Sequence, residues 1–241
     1  SVEAMVSLPV SCVTEIDSTN TQVMANRPHE QCLIAIYQHA GQGRRGRSWI
    51  GVPGRTLMLS VGVSLRLPVA RLAGLSIAIG VALCELLRAG GATVELKWPN
   101  DLWVGGRKLA GVLMEVQGGV HDAVFVVVGL GLNLKSIEAE GVDTVAIEEI
   151  LSRSWSDADT ARVISVLEEV MRGFGEQDRQ ALVDAFGRVS ALTGKAVTVS
   201  DGAKDYRGIM AGIDPDGALL LMTDNGVLTL MAGDVTVRPS K

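Results

Sequence analysis

Apolar residues fall in several short runs along the first half of the chain, and this pattern predicts a sheet. The stretches "CLIAIYQHA" (32–40) and "RTLMLSVGVSL" (55–65) predict two strands on either side of a glycine-rich segment. The stretches "TVELKWPNDLWV", "RKLAGVLMEVQ" and "DAVFVVVGLGLNL" predict three more. Gly105-Gly106 separates two of them and has the length and composition of a tight hairpin turn. These two strands are therefore expected to pair as neighbours.

One stretch predicts a helix with apolar residues on nearly all of its faces, which indicates a central position in the fold. In "PVARLAGLSIAIGVALCELLRAGG", Pro68 stands at the expected helix start and Gly90 or Gly91 just past its end. Its charge-free run, residues 72–84, is too short to cross a bilayer, which needs about 20 residues. The helix is therefore expected inside a folded core, and no membrane association is expected.

The last third of the chain changes pattern twice. From Val145 to about Arg188 the spacing of apolar residues is helical. After Thr193-Gly194, short strands alternate with the turn sequences "SDGAK", "DPDG" and "TDNG". Four or five short strands over these last residues predict a small barrel. We therefore place a domain boundary near Ser190, with strands and helices before it and the barrel after it.

Composition indicates a folded chain rather than a disordered one. The 241 residues are 47% hydrophobic and 20% charged, which is enough for a full apolar core. No basic segment followed by an apolar run opens the chain, so no secretory signal is expected. Three widely spaced cysteines indicate free thiols in a reducing compartment, which predicts a cytoplasmic protein. The histidines and cysteines lack metal-ligand spacing, so no structural metal site is predicted.

The segment "GQGRRGRSW" (41–49) carries three arginines among glycines in a chain whose formal net charge is -5. Its G-x-G-x-x-G spacing would bind a dinucleotide only if a helix followed at once, and the pattern here leads into a strand. Single-stranded RNA is a second alternative, with Trp49 stacking on a base, but no second basic cluster supports it. A solvated surface loop and a mobile clamp for a small anionic ligand remain.

Two other motifs favour the clamp. "EIDSTN" places three short hydrogen-bonding side chains at residues 18–20, which either cap a helix or line the polar end of a pocket. "VVVGLGLN" ends an apolar strand in Gly129 and Gly131, which allow a close approach to the backbone. Asn133 follows with one amide donor group and one acceptor, suited to the edge of a heterocycle.

A third motif, "KWPNDLWVGGRKLAGVLMEV", brings together a carboxylate and an amine. If Gly105-Gly106 form a two-residue turn, Trp103 opposes Lys108. Asp101 shares a face with Trp103 because side chains alternate along a strand. Asp101 and Lys108 are then diagonal cross-strand neighbours, roughly 7 Å apart at Cβ. Such a pair is either a surface ion pair worth about 0–1 kcal/mol or a catalytic pair held on rigid strands.

Taken in order, these motifs resemble those of biotin–protein ligases. The matching blocks are "IDSTN", "YQHAGQGRRGRSW", "KWPNDLWVGGRKLAG" and "GLGLNL", and the segment from "GIDPDGALLL" to "GDVTVRP" resembles the small C-terminal barrel of that family. The resemblance covers essentially the whole chain. It implies an α+β fold. A catalytic domain over residues 1–189 would have a mixed sheet with helices, related to class II synthetases and lipoate ligases. An SH3-like β-barrel would follow over residues 190–241.

The resemblance also implies roles for individual residues. The biotin-binding residues would be Ser18, Thr19, Asn20, Gln38, Gly41, Arg44, Lys108 and Gly111. The residues that bind ATP and the adenylate would be Arg45, Arg47, Trp49 and Asn133. The catalytic residues would be Lys108, Arg44 and Asp101. Of these, Arg44 and Lys108 would meet the biotin carboxylate and the α-phosphate, and Asp101 would assist the acceptor lysine. The family commonly carries arginine where this chain has Gln42.

The implied reaction joins biotin to ATP, with Mg²⁺ on the phosphates, and then passes biotin from biotinyl-5'-AMP to a lysine of a biotin carboxyl carrier protein.

The chain starts almost directly at the catalytic motifs, so no DNA partner is expected. A homodimer is an open alternative, formed if the strand "AVFVVVGLGL" lies at a sheet edge. Two other functions stay open: a lipoate or octanoate ligase on the same fold, and an RNA-binding module.

Overall fold

A seven-stranded sheet organises the first 133 residues of the computed structural model, which describes residues 1–118, 123–139, 141–231 and 236–240. Its strands are β1 (Val10–Ile16), β2 (Gln31–Gln38), β3 (Thr56–Leu65), β4 (Glu95–Lys97), β5 (Asp101–Val104), β6 (Arg107–Gly118) and β7 (Val124–Asn133). They lie side by side in the order β1-β2-β3-β7-β6-β5-β4. The pair β1 and β2 is parallel, whereas each other neighbouring pair is antiparallel, so the sheet is mixed as predicted.

Helices pack on both faces of this sheet. They are α1 (Thr19–Ala25), α2 (Leu75–Ala89), α3 (Ile147–Ile150), α4 (Asp157–Gly173) and α5 (Arg179–Val189). On one face, α2 packs against α4 and α5 over the main apolar core. On the other face, α1 packs against β3 and β7 over a smaller core of Val23, Leu33, Phe125 and Val127. Because α1 has seven residues, it leaves part of the second face uncovered.

The Gly105-Gly106 turn sets the strand register as the sequence predicts. Its φ angles are 58° and 81°, left-handed values that glycine adopts without strain. Trp103 pairs with Lys108, and the register shifts by one residue beyond that pair. The stretch "TVELKWPNDLWV" is divided into β4 and β5, because Pro99 has no N–H to donate to a neighbouring strand.

The central helix begins later than predicted. Pro68 precedes a 3-10 turn over Val69–Leu72, and α2 itself starts at Leu75. The reason is Gly74, whose φ of 87° is incompatible with a continuous helix and which becomes the N-cap of α2. The C-cap is Gly90, one of the two glycines predicted to end the helix.

Among the described residues, the stretch Val69–Ala89 is long and apolar enough to cross a membrane by length and composition alone. In the structure, however, this stretch is divided at Gly74, and α2 has 15 residues, a length of roughly 22 Å at 1.5 Å per residue. That is shorter than the roughly 30 Å hydrocarbon core of a bilayer. Nine residues of α2 are buried, so it is the core helix that the sequence predicts.

The strand "AVFVVVGLGL" does not lie at a sheet edge, contrary to the premise of the predicted homodimer. This strand is β7, and it pairs with β3 on one side and β6 on the other. All its backbone groups that face a neighbour are therefore committed within the chain, and it cannot pair with its own copy. The edges of the sheet are β1 and β4.

A second sheet follows in the C-terminal part and fits the predicted small barrel. Its strands are β8 (Ala196–Ser200), β9 (Asp205–Ile213), β10 (Leu219–Thr223), β11 (Gly226–Leu230) and β12 (Thr236–Pro239). They are antiparallel in the order β11-β10-β9-β8-β12. Trp98 joins the two sheets, because its indole N–H donates to the carbonyl of Gly217 at 2.9 Å.

The start of α4 depends on one buried carboxylate. Asp159 accepts two hydrogen bonds from the Arg153 guanidinium, at 2.6 and 2.7 Å, and two more from the backbone N–H and hydroxyl of Ser156. The Arg153 hydrogen bonds, followed by those from Ser156, hold the pKa of Asp159 well below its usual range despite burial. The ionised carboxylate therefore stabilises the folded state.

We expect Asp159→Asn to lower the free energy of unfolding at pH 7 by about 2 kcal/mol, because it weakens charge-assisted hydrogen bonds. The folded-state pKa lies below the unfolded value of about 3.9, so this stabilisation is complete above that value and is lost as the pH falls toward the folded pKa. Urea unfolding at pH 7 and pH 3 checks this, with exposed Asp157→Asn in the same helical turn as control. Equal effects of the two substitutions at pH 7 would contradict it.

Candidate active site

The uncovered part of the seven-stranded sheet carries glycines on two adjacent strands. Gly111 on β6 pairs with Gly131 on β7, and Gly129 lies two residues before Gly131 on the same face. A Cβ atom at Gly129 would overlap the Asn20 side-chain amide, and one at Gly131 would overlap the Trp49 indole. These three glycines, the glycine patch, therefore let two side chains lie directly on the backbone of the sheet.

The polar end of the site is formed where α1 begins and β2 ends. Ser18 is the N-cap of α1, and its hydroxyl accepts from the backbone N–H of Thr21 at 3.4 Å. Thr19 donates to Gln38 Oε1 through its backbone N–H, at 2.7 Å, and through its hydroxyl, at 3.0 Å. Ser18, Thr19 and Asn20 also line the cavity described below. Both interpretations of this motif, a helix cap and a pocket wall, therefore apply together.

The arginine-rich segment folds as a short hairpin over the glycine patch. Its two ends are joined by a hydrogen bond from the Trp49 N–H to the Gly41 carbonyl at 2.8 Å. At its tip Arg45 has a left-handed φ of 59°, an uncommon value for a residue with a side chain. The Arg45 guanidinium lies 3.4 Å from the Asp201 carbonyl in the C-terminal sheet. The tip of the loop thus reaches toward the barrel.

The predicted carboxylate and amine form an ion pair beside the loop. Lys108 Nζ lies 3.0 Å from Asp101 Oδ1, with side chains that are 24% and 20% exposed. The same ammonium lies 5.2 Å from the centre of the Trp49 ring, within the range of a cation–π contact. The tight turn pairs Trp103 with Lys108, and the one-residue register shift beyond that pair still leaves Asp101 within reach of Lys108.

More cations lie at the same place. Burial lowers the pKa of Lys97, and the neighbouring cations lower it further, whereas Asp101 opposes the shift. Burial also lowers the pKa of Arg44, with Arg45 and Arg47 contributing and Asp101 opposing. Crowded, partly desolvated positive charge is costly in the absence of an anion. The arrangement is therefore suited to a ligand that carries phosphates or a carboxylate.

The cavity bounded by these elements has a volume of about 210 Å³. The sequence-predicted residues that line it are Ser18, Thr19, Asn20, Gln38, Arg44, Arg45, Arg47, Trp49, Asp101, Lys108 and Gly111. Gly41 lies just outside the lining, where an added Cβ would come within 2.7 Å of the Trp49 carbonyl oxygen.

Asn133 also lies outside the lining. Its side-chain amide donates to the carbonyls of Lys108 and Val145, at 3.2 and 3.3 Å, so it holds the strand that carries Lys108. Its buried Oδ1 has no hydrogen-bond partner among the described residues. The predicted contact of Asn133 with adenine stays a prediction.

Several residues that line the cavity were not among the predicted site residues. Lys97 and Asn100 belong to the "KWPND" motif that was singled out for Asp101, so that motif could have indicated them. Asn100 fixes the motif to the sheet, since its amide donates to the Val112 carbonyl at 2.6 Å. Thr236 of the C-terminal sheet lines the same cavity, and no local pattern reveals that so distant a residue reaches it.

Comparison with known proteins identifies the family. Residues 12–133 match the model of the biotin/lipoate A/B protein ligase family, and residues 192–238 match the biotin protein ligase C terminal domain. The bifunctional ligase/repressor BirA of Escherichia coli is 34% identical, in an alignment that covers 96% of this chain and 75% of that protein. The biotin--[acetyl-CoA-carboxylase] ligase of Mycobacterium tuberculosis is 35% identical over 92% of this chain and 86% of that one. The chain belongs to the biotin/lipoate A/B protein ligase family.

Solved structures agree on the fold. The biotin protein ligase from Aquifex aeolicus in complex with biotin and ATP superposes with a TM-score of 0.82 at 24% identity, covering 96% of this chain and 99% of that one. The mixed sheet with helices and the small C-terminal sheet are shared. The family membership and this superposition confirm the resemblance and the fold class predicted from the motifs.

We expect Gly131→Ala to open the loop, because the new methyl group occupies the position of the Trp49 indole. Backbone amides of residues 41–49 should exchange with deuterium at least about tenfold faster than in the wild type. This factor corresponds to a free energy of local opening that is lower by about 1.4 kcal/mol. Gly118→Ala is the control, since a Cβ at Gly118 meets nothing within 4 Å. Unchanged exchange of this segment in Gly131→Ala would show that Trp49 does not hold the loop.

Proposed function

We propose that this chain is a biotin–protein ligase that makes biotinyl-5'-AMP from biotin and ATP and then transfers biotin to a lysine of a biotin carboxyl carrier protein. One observation carries the proposal: a single cavity joins a wall of neutral hydrogen-bonding groups to a cluster of cations around Lys108. The neutral wall suits a polar ring, and the cations suit a carboxylate next to a phosphate chain. Relatives named as biotin--[acetyl-CoA-carboxylase] ligases support the same activity.

The first step joins two anions, and the cations make this possible. An oxygen of the biotin carboxylate attacks the α-phosphorus of ATP, the bond from that phosphorus to the bridging oxygen breaks, and pyrophosphate leaves. Lys108 and Arg44 offset the repulsion between the carboxylate and the phosphates and stabilise the charge that develops at phosphorus. Lys108 lies on β6 and Arg44 lies beside the tip of the hairpin, so both charges are held in place as the reactants approach.

Magnesium is expected on the phosphates of ATP rather than in a protein cage. Among the residues that the structure describes, no group of three or more acidic, histidine or cysteine side chains is arranged to hold a metal ion. Asp101 is the carboxylate beside the cations and is already paired with Lys108. Mg²⁺ often binds through substrate phosphates and one or two carboxylates, so the phosphates of ATP would be its main ligands here, and the ion would supply further charge neutralisation.

The intermediate needs protection from water, and the loop provides it. Biotinyl-5'-AMP is a mixed anhydride that water hydrolyses. Trp49 lies against the sheet at the glycine patch, and Arg44, Arg45 and Arg47 line the same cavity. Closure of residues 41–49 over the adenylate excludes water, and the phosphate draws the arginines together.

In the second step the acceptor lysine attacks the carbonyl carbon of the anhydride, an amide bond forms, and AMP leaves with the pair of electrons of the broken C–O bond. Asp101 lies at the cavity wall and is 20% exposed, so it is accessible to the incoming amine. We assign it to orienting that amine and stabilising the positive charge that the nitrogen gains before its proton is released to solvent.

The chemistry of the cysteines is consistent with a cytoplasmic enzyme. Cys12, Cys32 and Cys84 are free thiols, and the last two are buried. Burial raises the pKa of Cys84 to about 12, so it stays a protonated, unreactive thiol.

The test of the proposal is ATP-dependent transfer of labelled biotin to an isolated biotin carboxyl carrier domain. We expect labelling of the carrier with biotin and ATP, and no transfer when lipoate or octanoate replaces biotin. Transfer of lipoate in preference to biotin would identify the alternative ligase. RNA binding that depends steeply on salt, without any acyl transfer, would contradict both ligases.

We expect Lys108→Ala to lower biotin-dependent exchange of pyrophosphate into ATP by at least about 100-fold, because one preorganised group that stabilises the developing charge is removed. Lys135→Ala, which removes an exposed lysine outside the cavity, is the matched control and should exchange normally. Circular dichroism establishes that both variants are folded. Near-normal exchange in folded Lys108→Ala would remove Lys108 from the reaction.

A further inference from the structure

A carboxylate that does not line the cavity contacts a side chain that does. Glu115 lies on β6, on the same face as Gly111. Its Oε2 accepts a hydrogen bond from the amide nitrogen of Asn20 at 2.7 Å. Asn20 is 4% exposed and lies directly over Gly129. The Glu115 carboxylate therefore acts on the cavity through Asn20.

The surrounding contacts determine which way the Asn20 amide points. Its nitrogen has two N–H groups, and they donate to Glu115 and to the Leu113 carbonyl, the latter at 3.3 Å. Its oxygen lies 2.6 Å from the hydroxyl of Ser60, a fully buried group whose single proton is shared between this oxygen and the Thr19 hydroxyl at 2.7 Å. Both donors of Asn20 are thus occupied, and the amide offers the cavity the remaining lone pair of its oxygen.

The other amide of the polar wall has the opposite polarity. Gln38 Oε1 accepts from both the backbone N–H and the hydroxyl of Thr19, and its nitrogen contacts the sulfur of Met58 at 3.4 Å. The nitrogen has a second N–H, so Gln38 offers the cavity a donor. One acceptor and one donor at neighbouring positions match a ligand edge in which an N–H adjoins a C=O.

Glu115 is suited to fixing this polarity because a carboxylate can only accept hydrogen bonds. If the Asn20 amide rotated by 180°, its oxygen would face the Glu115 carboxylate and the Leu113 carbonyl, and three acceptors would be crowded together. The rotated amide would also point an N–H at the N–H of the ligand. A charge-assisted hydrogen bond in partly buried surroundings is among the stronger ways to exclude such a rotation.

We propose that Glu115 is a positioning residue that fixes the Asn20 carbonyl toward a ring N–H of the ligand and so selects for biotin at this end of the cavity. This inference rests on the proposed function, in which the ligand is biotin. Glu115 touches neither reactive centre, so its removal should weaken biotin binding and leave the handling of ATP unchanged.

Two substitutions keep the length of the Glu115 side chain, so they distinguish the loss of a hydrogen-bond acceptor from a loss of packing. Glu115→Met removes the acceptor, whereas Glu115→Gln keeps an oxygen that can accept from Asn20. Gln117→Ala is the control, since Gln117 lies two residues further along the same face of β6 and is exposed. Glu115→Ala is a second variant for the case in which the methionine disturbs folding.

We expect the KM for biotin in pyrophosphate exchange to rise at least about tenfold in Glu115→Met, the equivalent of losing 1.4 kcal/mol of binding. The KM for ATP and kcat should stay within about threefold of the wild type. Glu115→Gln should restore the KM for biotin to within about threefold, and Gln117→Ala should leave it unchanged. Equal KM values for biotin in Glu115→Met and the wild type would overturn the inference.

A second readout needs no ligand. In the free ¹⁵N-labelled protein, the side-chain amide protons of Asn20, assigned by their absence in Asn20→Ala, should exchange slowly with solvent. They should exchange at least about tenfold faster in Glu115→Met, and an unchanged rate would overturn the inference. Because this signal is measured without biotin, it remains decisive if the wild type does not activate biotin, an outcome that would instead overturn the proposed function.

Discussion

The bare backbone of the glycine patch is the constraint on which the site depends. Gly111 and Gly131 face each other across β6 and β7, and Gly129 continues the patch. Because these positions carry no Cβ, the side chains of Asn20 and Trp49 contact the backbone of the strands directly. A side chain at Gly129 would displace the Asn20 amide, and one at Gly131 would displace the Trp49 indole. Their neighbours Val112, Leu130 and Leu132 point to the opposite face and are buried in the main core, so the core needs no side chain at the glycines.

The electrostatics of the site follow from this geometry. The chain as a whole is acidic, yet Lys97, Lys108 and Arg44 converge beside the glycine patch. One carboxylate, Asp101, pairs with Lys108, and burial lowers the pKa of Lys97 and Arg44. These positive charges suit an anionic ligand. Binding of such a ligand would help to offset the cost of ordering a glycine-rich loop, roughly 1–2 kcal/mol per residue.

Short-range rules predicted part of the cavity lining, and the resemblance to biotin–protein ligases supplied the rest. The two-glycine turn sets the pairing of Trp103 with Lys108 as predicted, and Asp101 still reaches Lys108 although the register shifts by one residue beyond that pair. The motif around residues 18–20 combines a helix cap with a polar wall for the same local reason.

Long-range features were harder to predict. The central position of β7, the late start of α2 at Gly74 and the approach of Thr236 to the cavity depend on how distant segments pack. Glu115 was missed because its role depends on one contact with a residue 95 positions away.

The most direct test of the account is the species that the enzyme holds when no carrier is present. The wild-type chain is incubated with biotin and ATP, freed of excess ligand, and examined by native mass spectrometry. The account predicts one biotinyl-5'-AMP retained per chain, because the loop that Trp49 closes over the glycine patch keeps water and solvent from the anhydride. A chain that carries unreacted ATP and biotin, or that has released the adenylate as biotin and AMP, would contradict it.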